Sequence, residues 1–215
     1  MTTAQENGVT QPALTRHDIA ADQGAPRAVV LMLHGGKDSS ATPVDDRSLS
    51  RKRSLAMQRA IAPDFAEAGL STWLLTYRLR GWNGGGGPIE DARWALEEVR
   101  RAFGDVPVCL LGHSMGARTS IHVADDPSVV GVVGLAPWWP ADEAVGALRG
   151  KHLVGAHGRR DKITSYRQSA RFVDRARGVA ASAELRDMGP VGHYMLRRAG
   201  AWNDVALTES LSLLA

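Results

Sequence analysis

Short apolar runs alternate with longer segments of helical spacing from about residue 28 to the end of the chain. Several runs are apolar at every position, which is typical of parallel strands covered by helices on both faces. The alternation predicts an α/β fold with a mostly parallel central sheet and helices on both faces. The predicted strands are residues 29–33, 72–77, 106–111, 129–135 and 153–157, with a weaker candidate at 182–188.

Helical spacing is clearest between the second and third predicted strands. Pro88 suits the first turn of this helix, and Gly104 suits its end. Further helices are predicted at residues 55–68, 166–177 and 203–214. Pro63 falls inside the first of these three segments and is expected to kink the helix or split it into two pieces.

The pattern before residue 28 is different. Residues 1–27 contain two glycines and two prolines, at Gly8, Pro12, Gly24 and Pro26. We expect a loose N-terminal segment there, with at most short antiparallel edge strands. Residues 28–215 show no internal repeat and no linker, and they are expected to form a single domain. A chain of 215 residues can bury a substantial core without disulfides or metals.

Composition excludes several classes of function. The chain has 26 lysine and arginine residues against 23 aspartate and glutamate residues, scattered rather than gathered in a basic stripe, so no nucleic-acid partner is expected. No apolar run approaches the roughly 20 residues that cross a bilayer, and no membrane partner is expected. Residues 1–15 lack the pattern of a secretory signal, so a cytoplasmic location is expected. The single cysteine, Cys109, lies in a predicted strand and is expected to be inert core.

A candidate nucleophile follows the predicted strand at 106–111. Residues 112–116 read Gly-His-Ser-Met-Gly, and the residues after them have helical spacing. A Gly-x-Ser-x-Gly sequence between a strand and a helix holds its serine, here Ser114, in a strained turn that exposes the hydroxyl above the sheet. The flanking glycines remove side chains that would collide with the neighbouring strand and helix. A glycine-rich turn without chemistry is the alternative interpretation.

With this motif in this setting, the chain resembles the α/β-hydrolase superfamily, and in particular small capless members similar to dienelactone-hydrolase-like esterases. The resemblance covers the chain from Val29 to the C-terminus. It implies an α/β-hydrolase fold and a serine-dependent catalytic apparatus, without fixing a substrate. Residues 136–152 are too short to form a helical lid, so no cap domain is expected. The open site this leaves favours small soluble substrates over aggregated lipid.

A serine nucleophile needs a histidine to take its proton and a carboxylate to orient that histidine. His193, in a glycine-rich loop after the last predicted strand, stands where the superfamily carries its catalytic histidine. His152 and His157 lie at the two ends of a predicted strand and are expected to be packing residues. Asp161 follows that strand at the carboxyl edge of the sheet and also resembles the family's acid. Asp142 and Asp187 are alternative candidates for the acid. Asp161 could instead have a non-catalytic role, as the partner of Arg159 or Arg160 in a surface ion pair.

Acyl transfer also requires two N–H donors for the negative charge that develops on the carbonyl oxygen. Met115, directly after the serine, would supply one. The loop at residues 34–37 resembles the family's oxyanion loop, which implies Gly36 as the second donor, with Lys37 as the alternative. His34 is expected to pin this loop, and the side chain of His113 to point away from the hydroxyl.

Three tryptophans follow predicted strands and are candidates to line the substrate pocket: Trp82, Trp138 and Trp139. Covering the edge of the sheet is an equally good explanation for them. No histidine, cysteine or carboxylate cluster has metal-ligand spacing, so neither a metal nor another cofactor is expected.

These residues together predict a serine hydrolase that cleaves a carboxylic ester of a small or medium substrate through an acyl-enzyme on Ser114. A thioester is an alternative substrate for the same apparatus. A non-catalytic protein that binds a small ligand in the cleft of the same fold is the alternative from another class.

Overall fold

The structure is a computed structural model that describes residues 11–20 and 24–215. The strands are β1 (Ala13–His17), β2 (Ala28–Leu33), β3 (Leu70–Thr76), β4 (Val108–His113), β5 (Val129–Leu135), β6 (His152–His157) and β7 (Ser182–Asp187). The helices are α1 (Leu49–Glu67), α2 (Gly86–Phe103), α3 (Met115–His122), α4 (Tyr166–Ala176) and α5 (Ala199–Leu213). The expectation for the N-terminal segment lies partly outside the described residues, at 1–10 and 21–23.

All the described strands belong to one seven-stranded sheet with the order β1-β3-β2-β4-β5-β6-β7. β1 is antiparallel to β3 at one edge, and every other pairing is parallel. All six residues of β2 and all six of β4 are buried, because helices cover both faces of the sheet centre. The predicted mostly parallel sheet is confirmed.

Successive side chains of the strands point to opposite faces of the sheet and pack into two apolar layers. Helices α2, α3 and α4 cover one face of the sheet, and Leu96, Ile121 and Phe172 are among the side chains they bury. Helices α1 and α5 cover the other face, with Phe65 and Trp202 in its core. Burying both faces is the main stabilising contribution that such a sheet can obtain. Cys109 is fully buried in the second layer, as predicted.

Helix α1 differs from its prediction. It begins six residues before the predicted start at Leu55 and runs from Leu49 to Glu67 without a break at Pro63. A proline removes one backbone N–H and frees the carbonyl of the residue four positions earlier, here Arg59. Both Pro63 and Arg59 are exposed, so water can bind that carbonyl. The expected division into two helices is therefore wrong.

No cap covers the carboxyl edge of the sheet in the described part of the chain. The segment between β5 and β6 contains only a short 3-10 helix, Gly146–Leu148. Trp139 in the same segment packs inward against Gly134 and Gly155. The prediction of a fold without a cap is confirmed. None of the helices in residues 11–20 and 24–215 has the length and apolar character needed to cross a membrane.

The contact between β2, β4 and α3 depends on two glycines. A Cβ atom added at Gly116 would overlap the backbone carbonyl of Leu33, and one added at Gly112 would overlap the backbone of Ala117. Backbone atoms cannot move aside as a flexible side chain can. The glycines therefore allow helix α3 to start directly against the sheet.

We predict that Gly116→Ala destabilises the protein by about 1–3 kcal/mol, because the added methyl group forces α3 away from β2. Gly200→Ala is the matched control, since Gly200 also lies in a helix but a Cβ there meets nothing within 4 Å. That control should be neutral or stabilising by up to about 1 kcal/mol. Urea unfolding of the two variants and the parent measures both effects. Equal effects of the two substitutions would contradict the packing argument.

Candidate active site

Ser114 occupies the sharp turn between β4 and α3, called the elbow below (residues 112–116). Its backbone has φ 54° and ψ −114°, a positive-φ conformation that costs a residue other than glycine about 1–3 kcal/mol. The turn is held on both sides, because the Ser114 N–H donates to the Leu135 carbonyl at 3.1 Å and the Trp138 N–H donates to the Ser114 carbonyl at 3.2 Å. The predicted strand–serine–helix turn is thus present, with its glycines tightly packed.

Two loops bring a histidine and a carboxylate to this serine. His193, in the loop between β7 and α5, places Nε2 at 2.9 Å from Ser114 Oγ. Its Nδ1 lies 2.8 Å from Asp161 Oδ2, in the loop after β6. A carboxylate can only accept a hydrogen bond, so Nδ1 carries the proton and Nε2 is free to accept one from the serine hydroxyl. This tautomer is the one a general base requires.

The Asp161 carboxylate has no exposed surface. It accepts hydrogen bonds from the Ile163 and Thr164 N–H groups, the Thr164 hydroxyl, His157 Nε2 and His193 Nδ1, at 2.8 to 3.1 Å. Burial alone would raise its pKa, but the hydrogen bonds from His157, His193 and Thr164 outweigh burial and hold the pKa well below its ordinary value. Asp161 therefore stays ionised across the physiological range.

The two alternative acids lie elsewhere. Asp187, at the end of β7, accepts from the Gly189 N–H at 2.8 Å and pairs with Arg159 at 3.1 Å. Asp142 is exposed. Of the three candidates, the structure brings only Asp161 into hydrogen-bond contact with His193.

Two residues next to Asp161 make contacts with its carboxylate that the sequence analysis did not predict. His157, expected to be a packing residue, is fully buried and lies between Asp161 Oδ2 at 3.1 Å and Ser169 Oγ at 3.0 Å. Thr164 donates to Asp161 through both its N–H and its hydroxyl. The spacing Asp-x-x-Thr, in which an aspartate caps the turn that follows it, was the available signal for Thr164.

His113 holds the histidine loop. Its Nε2 lies 3.2 Å from the His193 backbone carbonyl, which can only accept, so Nε2 carries the proton. Burial, with the nearby His193 and Arg53 adding to it, lowers the pKa of His113 to about 3. The His113 ring makes no hydrogen bond to Ser114 in the described residues. It connects the elbow to the loop that carries His193 through its hydrogen bond to the His193 carbonyl.

The loop after β2 lies beside the elbow. His34 is buried and places Nδ1 at 2.6 Å from the Gly35 carbonyl, and burial lowers the pKa of His34 to about 4. The Lys37 N–H already donates to the Arg80 carbonyl at 2.7 Å. In the described residues, the Gly36 and Met115 N–H groups have no protein acceptor. A Cβ at Gly36 would overlap Met115 and the Arg80 carbonyl, so this position requires glycine.

A cleft of about 570 Å³ opens over Ser114 and His193. Gly36 and His113 also line it, together with the N-terminal part of α1. A space of this size suits a small or medium organic molecule. Within residues 11–20 and 24–215, no group of three or more histidine, cysteine or acidic side chains is placed to hold a metal ion.

The structure does not bring the three tryptophans into this cleft. Trp139 is buried in the core and donates through Nε1 to the Ala117 carbonyl at 3.0 Å, because two strand glycines leave room for its ring. The Arg118 guanidinium lies over both the Trp82 and the Trp138 rings, 4.5 and 4.4 Å from their centroids, and the two rings meet edge to face. Trp138 borders a separate depression beside Asp161. The expectation that they line the pocket over Ser114 is corrected accordingly.

Structural comparison supports this topology. The chain is similar to an alpha-beta serine hydrolase homologue from Coxiella burnetii, with 19% identity, a TM-score of 0.71, and coverage of 95% of this chain and 94% of that one. It is also similar to an α/β serine hydrolase without a lid from Xanthomonas campestris, with 17% identity, a TM-score of 0.70, and coverage of 94% and 88%. A thermophilic esterase from Thermogutta terrifontis, with butyrate bound, matches at 14% identity and a TM-score of 0.71, with coverage of 98% and 91%.

Sequence comparison adds the family. A search of curated proteins finds no match to the chain. The family model for the alpha/beta hydrolase fold matches residues 28–190, from the start of β2 into the loop that carries His193. The match spans most of the chain. This chain therefore belongs to the α/β-hydrolase fold family.

Proposed function

We propose that this protein is a serine hydrolase that cleaves a carboxylic ester of a small or medium substrate through an acyl-enzyme on Ser114. The observation that carries the proposal is the unbroken hydrogen-bonded line from Ser114 Oγ to His193 at 2.9 Å and from His193 to Asp161 at 2.8 Å. Ser114 and His193 line an open cleft. Residues 28–215 form the catalytic domain in this proposal.

The first half of the reaction forms the acyl-enzyme. Ser114 Oγ attacks the ester carbonyl carbon while its proton passes to His193 Nε2. The ionised Asp161 stabilises the imidazolium that results. Collapse of the tetrahedral intermediate breaks the bond to the alcohol, and His193 Nε2 returns the proton to the leaving oxygen. The second half repeats these steps with water as nucleophile and releases the acid.

In this mechanism the Gly36 and Met115 N–H groups donate hydrogen bonds to the carbonyl oxygen and stabilise its negative charge. Both lack a protein acceptor in the described residues, and the packing of Gly36 on Met115 keeps them adjacent. The N–H of Lys37, the alternative donor, already donates to the backbone carbonyl of Arg80. Donors that are fixed before the reaction contribute several kcal/mol to a tetrahedral transition state.

Two features favour catalysis over ligand binding alone. A strained Ser114 costs stability, and ligand binding alone gives no reason for that cost. The buried Asp161 carboxylate accepts five hydrogen bonds, one of them from His193 Nδ1. Such an arrangement orients an imidazole far more strictly than a binding pocket requires.

We predict that Ser114→Ala lowers kcat/KM for a short-chain ester such as p-nitrophenyl butyrate by a factor of about 10⁴ or more. Ser120→Ala is the matched control, because Ser120 lies on α3, the helix that follows Ser114, but its hydroxyl donates to the Gly116 carbonyl at 2.8 Å and it does not line the cleft. That control should keep activity within about threefold. A Ser114→Ala protein that retains turnover near the parent value would rule out this nucleophile.

We predict that Asp161→Asn lowers kcat by a factor of about 10⁴, because the amide can donate to Nδ1 and so favour the wrong tautomer of His193. Asp187→Asn removes a carboxylate that pairs with Arg159 at the surface and should leave kcat within about threefold. Steady-state kinetics of both variants decide the matter. A large loss confined to Asp187→Asn would move the acid to β7.

A further inference from the structure

The wall of the cleft that α1 provides is basic. Lys52 and Arg53 both line the cleft, and no aspartate or glutamate is among its lining residues. Asp161 does not line this cleft, and its carboxylate is buried against His193. Lys52 and Arg53 thus place positive charge on one side of the cleft that Ser114 lines.

The Arg53 side chain is hydrogen-bonded to the protein, but no carboxylate neutralises its charge in the described residues. Its Nη2 donates to the Met195 carbonyl at 3.2 Å, while its Nε is buried and has no acceptor. Within the described residues, Arg53 forms no ion pair. Burial also lowers the pKa of its guanidinium. A partly buried cation without an anion is unfavourable, and binding of a carboxylate would relieve this.

The rest of the cleft mouth is apolar. The large hydrophobic side chains that are most exposed in the described chain all line this one cleft: Leu49 at 80%, Ile163 at 61%, Tyr194 at 62% and Leu196 at 72%. Exposed apolar groups gathered at one opening indicate a surface that becomes covered when a ligand binds. They would pack against a hydrocarbon chain.

We propose that the substrate is an amphipathic ester in which an apolar chain separates the ester from a carboxylate, and that Arg53 binds this carboxylate with Lys52 beside it. This inference rests on the proposed function, because it names the substrate class of the same site. The guanidinium offers a planar pair of donors that matches a carboxylate. The apolar rim favours a hydrocarbon linker, and Ser114 and Arg53 share the cleft that would hold the two ends.

Binding to a protein that cannot turn over the ester tests this proposal first. In a Ser114→Ala background, titration calorimetry compares monomethyl adipate and monomethyl suberate with the corresponding dimethyl esters. We expect at least one monoester to bind about 10-fold or more tightly than its neutral dimethyl partner, as a charged hydrogen-bonded pair would provide. Arg53→Gln should abolish that preference. Gln retains a donor for the Met195 carbonyl, and the melting temperature checks that the variant is folded.

Arg59→Gln is the matched control, because Arg59 lies on the same helix, is exposed and does not line the cleft. It should keep the preference for the monoester. Equal affinities for the charged and neutral esters, or an unchanged preference in Arg53→Gln, would overturn the proposal.

Kinetics separate this inference from the proposed function. In the otherwise unmodified protein, Arg53→Gln should raise KM for the monoester about 10-fold, change kcat less than about threefold, and leave the dimethyl ester unaffected. Hydrolysis of both esters without any preference would retain the hydrolase and overturn the carboxylate site. A preference in binding that depends on Arg53, without hydrolysis by the parent, would support the site and overturn the proposed function.

Discussion

The close approach of three backbone segments sets the position of everything else in the site. Gly112 and Gly116 let β4 and α3 meet against β2 without an intervening side chain. In the turn between them Ser114 adopts a positive-φ conformation, which the hydrogen bonds with Leu135 and Trp138 maintain. That conformation lifts the hydroxyl into the cleft and leaves the N–H that begins α3 without a protein acceptor. Strain at one residue is thus maintained by packing around it.

The histidine and the carboxylate are then fixed by contacts between segments that are distant in sequence. His113, inside the elbow, lies at hydrogen-bond distance from the backbone of His193. Asp161 is buried without becoming neutral, because Thr164 and His157 contribute hydrogen bonds that outweigh its desolvation. The groups are therefore oriented before any substrate arrives, and preorganisation of this kind is the largest contribution that proteins make to reactions that develop charge.

The sequence predicted the features that depend on local patterns. Buried parallel strands are apolar at successive positions, and the strand–serine–helix turn has a short signature, so the sheet and Ser114 could both be found. Features that depend on packing between distant segments could not. Pro63 interrupts a helical pattern but lies on the solvent side of α1, Trp139 turns inward because Gly134 and Gly155 leave space, and the roles of His157 and Thr164 at Asp161 appear only when β6 and its loop are folded.

The central claim is that the hydroxyl of Ser114 is an activated nucleophile. Intact-mass analysis after exposure to a fluorophosphonate, followed by peptide mapping, tests it without any assumption about the substrate. The account predicts one adduct per chain, located on Ser114 and lost in Ser114→Ala. A folded parent protein that remains unlabelled, or an adduct that maps to another residue, would contradict the account.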